Sequence, residues 1–557
     1  MTVMAAAALA PAGAARAAGA ADDGSRNGQD TRFQIASNME IMYDIVRELD
    51  LLYVDTLDMK KTIETGISAM LGSIDPYTEY YSADDMNELK TMTTGKYGGI
   101  GAVIRQYPKR EYVYISEPYE GMPAQKAGLK AGDSILAIDG ESMKGKASQY
   151  VSEHLRGDVG TALTVTVGRG DDSLDVRFER STITLPAVPY YGLLDGYGYI
   201  MLEQFTEKCS RQVLKAVVDL KAQGAKGLIL DLRGNGGGLL NEAVDIVGLF
   251  VPLGTKVVEI KGKTPQARAS YVTQKKPVDT EIPLVVLIDG ESASASEIVS
   301  GCLQDLDRAV VLGARSYGKG LVQSTRPMPY NGTVKLTTAR YYIPSGRCIQ
   351  ELDYSKRNDR GQAQHIPDSL TTVFHTAAGR PVRDGGGIRP DVECPVDTLP
   401  DLVYALSQNV LMFDFVNGFC RAHERIAPAG EFAVSDSVLD DFKEFCRNGG
   451  FEYASASSKA LKSLRAVARS EGLESGALDE FKALEKKLAY DREAGLDQYD
   501  EVIRRVLAVD IVCRYYYQKG AVIQSLKDDN VAKQAVGLLS DAERYRGILM
   551  PSRLPSE

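Results

Sequence analysis

The fold is decided by residues 227–249, which read GLILDLRGNGGGLLNEAVDIVGL. The stretch opens on an apolar run that is typical of a strand buried on both faces. A glycine-rich loop and then an apolar spacing typical of a helix follow. The apolar-strand pattern returns at 283–288 and 309–312. Such strands, alternating with helices over 186–395, predict a largely parallel α/β sheet.

The rest of the 557-residue chain is organised differently on either side of this core. Residues 31–95 have apolar positions at helical spacing, and residues 96–183 read as short alternating strands between glycine-rich turns. From about 400 to 557 the chain is helical and charge-rich. The sequence therefore predicts a multidomain α/β protein with an N-terminal helical segment, a β-rich domain, an α/β core and a C-terminal helical extension.

Residues 1–30 begin with the alanine-rich run MTVMAAAALAPAGAARAAGA and continue into a polar stretch. The run is too short to span a bilayer. It resembles the apolar and cleavage regions of an export signal, with Ala15 or Ala18 before the cut. The basic residues that open such a signal are missing, so either the start is truncated or this is a low-complexity tail. We expect an exported protein of the periplasm or cell envelope, without a membrane span.

Composition argues against several kinds of ligand. A formal net charge of -10 repels phosphate backbones, which argues against nucleic acid. Seven cysteines without a CxxC pair and only four histidines give no zinc spacing. The segment from Gly313 to Lys319 matches a phosphate-binding loop, but Gly320 stands where Ser or Thr would hold magnesium. The sequence therefore predicts no metal, no cofactor and no nucleotide.

Ser294 lies where the apolar strand 283–288 gives way to a helix predicted from about 295. Reactive groups are often presented at such junctions, because the helix N-terminus supplies unpaired N–H groups. Ser294 and Glu297 also match a capping box, in which the serine only caps the helix. Spacing does not choose between Ser292, Ser294 and Ser296, so the residues alone leave both roles and all three serines open.

Lys319 follows the next apolar strand. If 319–323 is a strand, Lys319 and Gln323 share one face, because side chains alternate with period two. Burial would lower the lysine pKa and provide a neutral amine that accepts a proton from serine. Gln323 would hold this amine without adding charge. The glycine-rich loop at 234–238 would offer unobstructed N–H groups to an oxyanion, together with the Ala295 N–H, or would simply be a tight turn.

Several stretches resemble, in order, the signatures of the carboxyl-terminal processing peptidases, the tail-specific proteases of family S41: DLRGNGGG (231–238), SASASEI (292–298), GKGLVQ (318–323), TARYYIPSG (338–346) and GIRPD (387–391). The resemblance spans about 40–395 and implies a peptidase core of the ClpP and crotonase-like α/β type. It implies Ser294 as nucleophile, Lys319 as general base and Gln323 as an assisting residue. The oxyanion glycine falls at Gly237 or Gly238, with Ala295 as the second donor.

The β-rich segment 96–183 resembles the PDZ domain of the same family. The loop at Gly98, Gly99, Ile100 and Gly101 would bind a terminal carboxylate, and a strand from Ala102 would pair with an extended peptide tail. The resemblance implies a serine endopeptidase that captures protein C-termini and cleaves through an acyl-enzyme. A peptide-binding scaffold with a resting or inactive peptidase domain is the alternative. Homo-oligomerisation and the role of the tail after 400 stay open.

Overall fold

The computed structural model describes residues 25–358, 361, 363–395, 398–488 and 494–550. The alanine-rich run with Ala15 and Ala18 lies outside these residues. The chain divides into two compact units. The first comprises the residues up to Thr94, Leu193–Glu393 and the residues from Leu538, and the second comprises Gly95–Gly192 and Cys394–Gly537.

The α-helices of the described residues are, in chain order, α1 (Ser25–Leu52), α2 (Met59–Gly72), α3 (Met86–Thr94), α4 (Pro123–Lys126), α5 (Ser148–Leu155), α6 (Cys209–Ala222), α7 (Leu240–Val247), α8 (Ala295–Asp305), α9 (Asp401–Ser407), α10 (Val410–Ala422), α11 (Asp436–Asn448), α12 (Ala456–Ser470), α13 (Leu478–Leu488), α14 (Ala494–Asp497), α15 (Asp500–Leu526), α16 (Asn530–Ser540) and α17 (Ala542–Leu549). Short 3-10 helices are Pro265–Ala267, Pro329–Asn331, Asp368–Leu370 and Glu474–Ala477.

The β-strands are β1 (Glu79–Tyr81), β2 (Lys96–Gly99), β3 (Ala102–Gln106), β4 (Val113–Pro118), β5 (Ser134–Ile138), β6 (Glu141–Ser142), β7 (Ala162–Arg169), β8 (Asp172–Glu179), β9 (Ser181–Thr184), β10 (Tyr190–Leu194), β11 (Tyr197–Met201), β12 (Leu228–Asp231), β13 (Lys256–Gly262), β14 (Ala269–Val272), β15 (Leu284–Ile288), β16 (Val310–Gly313), β17 (Leu321–Pro327), β18 (Thr333–Tyr342), β19 (Leu352–Arg357), β20 (Ala363–His365), β21 (Val373–His375), β22 (Pro381–Arg383) and β23 (Val392–Glu393).

The core of the first unit is a sheet in which the parallel strands β11, β12, β15, β16 and β23 are neighbours in that order. All residues of β12, β15 and β16 are buried, which explains their continuous apolar sequence. Asp231 lies opposite Leu287, and Ile288 lies opposite Gly313. These three strands therefore end together, and the loops that follow them meet at one edge of the sheet.

A second, antiparallel sheet of the first unit has the order β1, β18, β13, β14, and β17 pairs with the same β18. Strand β1 is a difference from the sequence prediction, which gave residues 31–95 as helical. Its three residues follow the turn at Asp75 and Pro76, and Glu79 pairs with Lys335 in the register of β18. So short a strand is specified by its distant partner rather than by local periodicity.

The β-rich domain of the second unit has the antiparallel order β3, β4, β5, β7, β8, with β6 beside β5 and a separate pair of β2 and β9. Burial alternates along β7, as expected for a strand with one face on a core. That core includes Val113, Ile115, Ile135 and Val165, each fully buried.

The helices after residue 400 have a core of their own in the second unit, which includes Leu406, Phe442, Ile503 and Ile511. In the same unit Phe413 of α10 lies 5.0 Å from Tyr107 and 5.7 Å from Tyr114, ring centroid to ring centroid. The helical tail thus packs on the β-rich domain, a contact for which the sequence held no motif. Within the described residues, every helix is too short or too polar to cross a bilayer.

Candidate active site

Ser294 immediately precedes α8 and has φ 56° and ψ -110°. A residue with a side chain is rarely held at positive φ, and strained turns of this kind between strand and helix present nucleophilic serines. Its N–H donates to Glu297 Oε2 at 2.8 Å. The predicted capping partner is therefore present, and it fixes the backbone of the turn.

The structure distinguishes the three serines of the motif. Ser292 and Ser296 are fully buried, and their hydroxyls donate to Leu232 O and Asn235 O, each at 2.8 Å. Ser294 is 8% exposed. Ser296 thus ties the turn to the glycine-rich loop and Ser292 ties it to Leu232, just before that loop, whereas Ser294 is the most exposed of the three serines.

Lys319 is completely buried, and its Nζ donates to Gln323 Oε1 at 2.8 Å. The pKa of Lys319 is lowered to about 7, chiefly by burial and also by the nearby charge of Lys335. Glu297, Asp75 and Glu79 act in the opposite direction. The lysine amine is therefore substantially neutral near pH 7, as a general base must be.

The condition for Lys319 and Gln323 to share a strand face, namely a strand over 319–323, is not met in the structure. Lys319 precedes β17, which begins at Leu321, and the register of β17 shifts between Val322 and Gln323. Lys319 and Gln323 therefore meet across an irregular stretch of backbone, and not because side chains alternate along a regular strand. Gln323 Nε2 also donates to Thr337 Oγ1 at 3.1 Å.

Glu297 joins the serine turn to the lysine loop, a role that its capping position did not reveal. Its buried carboxylate accepts from Lys319 N at 2.9 Å, Gly318 N at 2.7 Å and Ser316 Oγ at 2.5 Å, besides Ser294 N. Burial raises the pKa of Glu297 to about 7, although these hydrogen bonds favour the carboxylate.

A second buried side chain makes the same connection. The Tyr341 hydroxyl lies 3.1 Å from Ser294 O and 2.8 Å from Lys319 O. Glu297 and Tyr341 together hold the two loops in one rigid arrangement.

The glycine-rich loop approaches Ser294 through Gly237. A methyl group added at Gly237 (φ 101°) would lie 2.7 Å from Ala293 O and 2.9 Å from both Ala295 N and Ser294 Cβ. One added at Gly238 would instead meet Phe205 O. The Gly237 N–H already donates to Asn235 Oδ1 at 2.9 Å. Gly237 is therefore the glycine of this loop that lies nearer to Ser294 and Ala295.

Replacing Gly237 with alanine is expected to lower kcat/KM by roughly 100-fold or more, comparable to the loss of one oxyanion donor, because the clash displaces the loop that carries Gly237 and Gly238. The added carbon would force the loop away from Ala295. Gly234 is a matched control, because it has a φ of 69° but nothing within 4 Å of an added carbon. Gly234→Ala should cost about 1–2 kcal/mol of stability through backbone strain, with little loss of activity. Equal losses of kcat/KM in both variants would contradict this account.

The four residues predicted to bind a carboxylate fall partly in a strand of the second unit. Gly98 and Gly99 belong to β2 and pair with β9, whereas Ile100 and Gly101 form the turn into β3. Strand β3 begins at Ala102, as predicted, and lies at the end of its sheet, so one of its edges is open within that sheet. Among the described residues, no cluster of three or more acidic, histidine or cysteine side chains could hold a metal ion.

Three family models match the chain: peptidase family S41 over residues 196–355, a PDZ domain over 114–169, and the C-terminal helical domain of probable PDZ-proteases over 402–539. The carboxy-terminal-processing protease of Bartonella bacilliformis is 37% identical over 334 residues, which cover 59% of this chain and 75% of that protein. A probable CtpA-like serine protease of Staphylococcus aureus is 33% identical over 316 residues, covering 56% and 63%. The solved photosystem II D1 C-terminal processing protease is 26% identical, with a TM-score of 0.34 and coverage of 63% and 86%.

Proposed function

We propose that this chain, which belongs to peptidase family S41 and is a serine protease, cleaves polypeptides through an acyl-enzyme on Ser294. The family and the mixed fold with a PDZ domain and a helical C-terminal domain agree with the sequence prediction. The finer assignments, namely the serine–lysine mechanism and the capture of C-terminal tails, are the proposal.

The observation that carries the mechanism is a buried lysine held beside a strained serine turn. A lysine is a base only when neutral, and burial lowers the pKa of Lys319 to about 7. Gln323 occupies one side of the amine without adding charge. A serine–lysine pair is a known substitute for the serine–histidine–aspartate triad.

In the proposed reaction Ser294 Oγ attacks the carbonyl carbon of the scissile bond and passes its proton to Lys319 Nζ. The tetrahedral oxyanion accepts hydrogen bonds from the N–H of Ala295 and of Gly237 or Gly238. Collapse of this intermediate breaks the C–N bond, and the leaving amine takes the proton from Lys319. Water, deprotonated by the same lysine, then hydrolyses the ester on Ser294 and restores both residues.

Within the described residues, no hydrogen bond joins Ser294 Oγ to Lys319 Nζ. Catalytic hydrogen bonds are often formed only in the substrate complex, so we propose that this contact closes on binding. The same observation is compatible with the alternative of a peptide-binding scaffold with a resting peptidase domain. Covalent labelling of Ser294 with a fluorophosphonate, with and without a C-terminal peptide, separates the two, because a permanently inactive domain would not be labelled in either case.

The PDZ domain is proposed to capture the C-terminal tail of the substrate by strand addition at the open edge of β3. The turn at Ile100 and Gly101 would supply N–H groups to the terminal carboxylate. Gln106, at the end of β3, accepts a hydrogen bond at 3.1 Å from the N–H of Ser148, the first residue of α5. The edge strand and the helix beside it are thereby held at a fixed separation, as a peptide groove requires.

A peptide with a free C-terminus is expected to bind the Ser294→Ala protein at least about tenfold more tightly than the same peptide with a C-terminal amide. The amide removes the charge that strengthens hydrogen bonds from the loop, and a tenfold difference corresponds to about 1.4 kcal/mol. Isothermal titration calorimetry measures both affinities on one protein. Equal affinities would rule out carboxylate capture while leaving the peptidase assignment intact. Export to the periplasm or cell envelope and homo-oligomerisation stay predictions.

A further inference from the structure

We propose that Tyr77 and Thr78, which lie in the segment Asp75–Tyr81, are positioning residues for Lys319 and Gln323. This inference rests on the proposed role of Lys319 as general base. The segment lies some 240 residues before the lysine in sequence, and none of the motifs of the peptidase core includes it.

Tyr77 covers the lysine amine. Lys319 Nζ lies 4.3 Å from the centroid of the Tyr77 ring, and Tyr77 is only 6% exposed. The ring packs edge-to-face against Tyr354 at 5.9 Å, and the two hydroxyls are 3.2 Å apart. Tyr354 thus holds the ring in place, and the ring covers one side of the amine.

The Tyr77 ring has two opposing effects on the amine. Its face attracts an ammonium group, which favours the protonated lysine. Its bulk removes hydration, which favours the neutral lysine, and burial is the largest influence on the pKa of Lys319. We therefore expect the loss of cover to dominate when the ring is removed, so that the pKa of Lys319 rises.

Thr78 acts on the other partner of the lysine. The Gln323 amide donates to Thr337 Oγ1 at 3.1 Å and so presents its oxygen to Lys319. Thr78 Oγ1 lies 3.4 Å from Thr337 Oγ1, 3.3 Å from Thr337 N and 3.1 Å from Asp75 Oδ2. A threonine pair thereby fixes which end of the amide faces the amine.

The segment is itself firmly anchored. Asp75 Oδ1 accepts from the N–H groups of Tyr77 and Thr78, both at 2.8 Å. Glu79 of β1 forms an ion pair with the buried Lys335 of β18. The charged groups around Lys319 are therefore Asp75 and Glu79 from this segment, Lys335 from β18 and Glu297 from α8.

The test is the pH dependence of kcat/KM for the full-length chain with Tyr77→Ala and Tyr77→Phe. The wild-type protein should lose activity as pH falls through about 7, because protonation removes the base. This acidic limb of the pH profile reflects the coupled titration of Lys319 and Glu297 rather than one group alone. In Tyr77→Ala the acidic limb should move up by about one pH unit, with activity about fivefold lower at pH 7 and largely restored at pH 9. Tyr77→Phe should keep the wild-type limb, because it keeps the ring.

Tyr80→Ala is the matched control. It also removes a tyrosine from this segment, but one whose ring lies beside Gly332 and not beside Lys319. It should leave the limb in place. A purely structural role for Tyr77 would lower activity equally at every pH, and that result, or an unmoved limb in Tyr77→Ala, would overturn the inference.

Thr78→Val gives an independent measurement if Tyr77→Ala fails to fold, as judged by thermal melting. We expect kcat to fall several-fold with KM unchanged, and Thr78→Ser to restore it. An unchanged kcat, or no rescue by serine, would count against the inference. A wild-type protein without an acid limb would instead count against Lys319 as the base, so the two failures are distinguishable.

Discussion

Replacing Ser294 with alanine is expected to abolish peptide hydrolysis while the chain stays folded. The expected loss in kcat is about 10⁶-fold, as found when a serine nucleophile is removed from a protease. The contacts that hold the turn are made by the backbone of Ser294, to Glu297 and to Tyr341, so alanine keeps them. Cleavage of a tailed protein substrate, followed by gel or mass spectrometry, measures the effect, and thermal melting verifies the fold.

Ser292→Ala and Ser296→Ala are matched controls on either side of the nucleophile. Each removes a buried hydroxyl that donates to a backbone carbonyl, of Leu232 for Ser292 and of Asn235 for Ser296, so each should cost about 1–3 kcal/mol of stability. Hydrolysis should remain within about tenfold of wild type, a change of at most about 1.4 kcal/mol in activation free energy. If the Ser294→Ala protein hydrolyses substrate at the wild-type rate, or if Ser292→Ala or Ser296→Ala is instead the variant that loses activity, the assignment of the nucleophile is wrong.

Replacing Lys319 with methionine is expected to lower kcat/KM by about 10⁴-fold or more, because no other group takes the serine proton. Methionine fills a similar volume, so the variant should fold.

The lowered pKa of Lys319 also predicts how the free energy of unfolding changes with pH. The unfolded lysine, with a pKa near 10.5, binds a proton more tightly than the folded one, with a pKa of about 7. Wild-type stability should therefore gain a contribution as pH rises from about 7 to 10.5, and Lys319→Met should lack it.

Denaturant unfolding of both proteins at pH 7 and pH 10 measures that difference. Lys335→Met is an instructive comparison, because it also removes a buried lysine but leaves Glu79 without its ion-pair partner. It should destabilise the protein, whereas Lys319→Met should not. A Lys319→Met protein that retains hydrolysis would exclude the lysine as base.

Much of the core could be predicted from sequence, because its elements are strongly patterned. The apolar runs at 227–231 and 283–288 became β12 and β15, and α8 begins at Ala295 as expected. Because all residues of β12 and β15 are buried, their sequences are continuously apolar, and this pattern can be recognised without the structure. The family and the enzyme class, identified from motifs, are confirmed by the comparisons.

The contacts that tune the site were not predictable, because they join residues far apart in the chain. Tyr77 meets Lys319 only because β1 pairs with β18, and a three-residue strand leaves no periodicity to read. Glu297 was visible as a helix-capping residue, but its bonds to the lysine loop depend on how two strand ends align. The packing of Phe413 on the β-rich domain is likewise a long-range contact without a local signal.

The most direct test of the central claim is the rate at which a fluorophosphonate labels Ser294 in the wild-type and Lys319→Met proteins, with the site identified by peptide mass spectrometry. We expect a single label on Ser294, formed at a rate that rises as pH increases through about 7 and that falls by orders of magnitude in Lys319→Met. A label on another serine, or an equal rate in the two proteins, would contradict it.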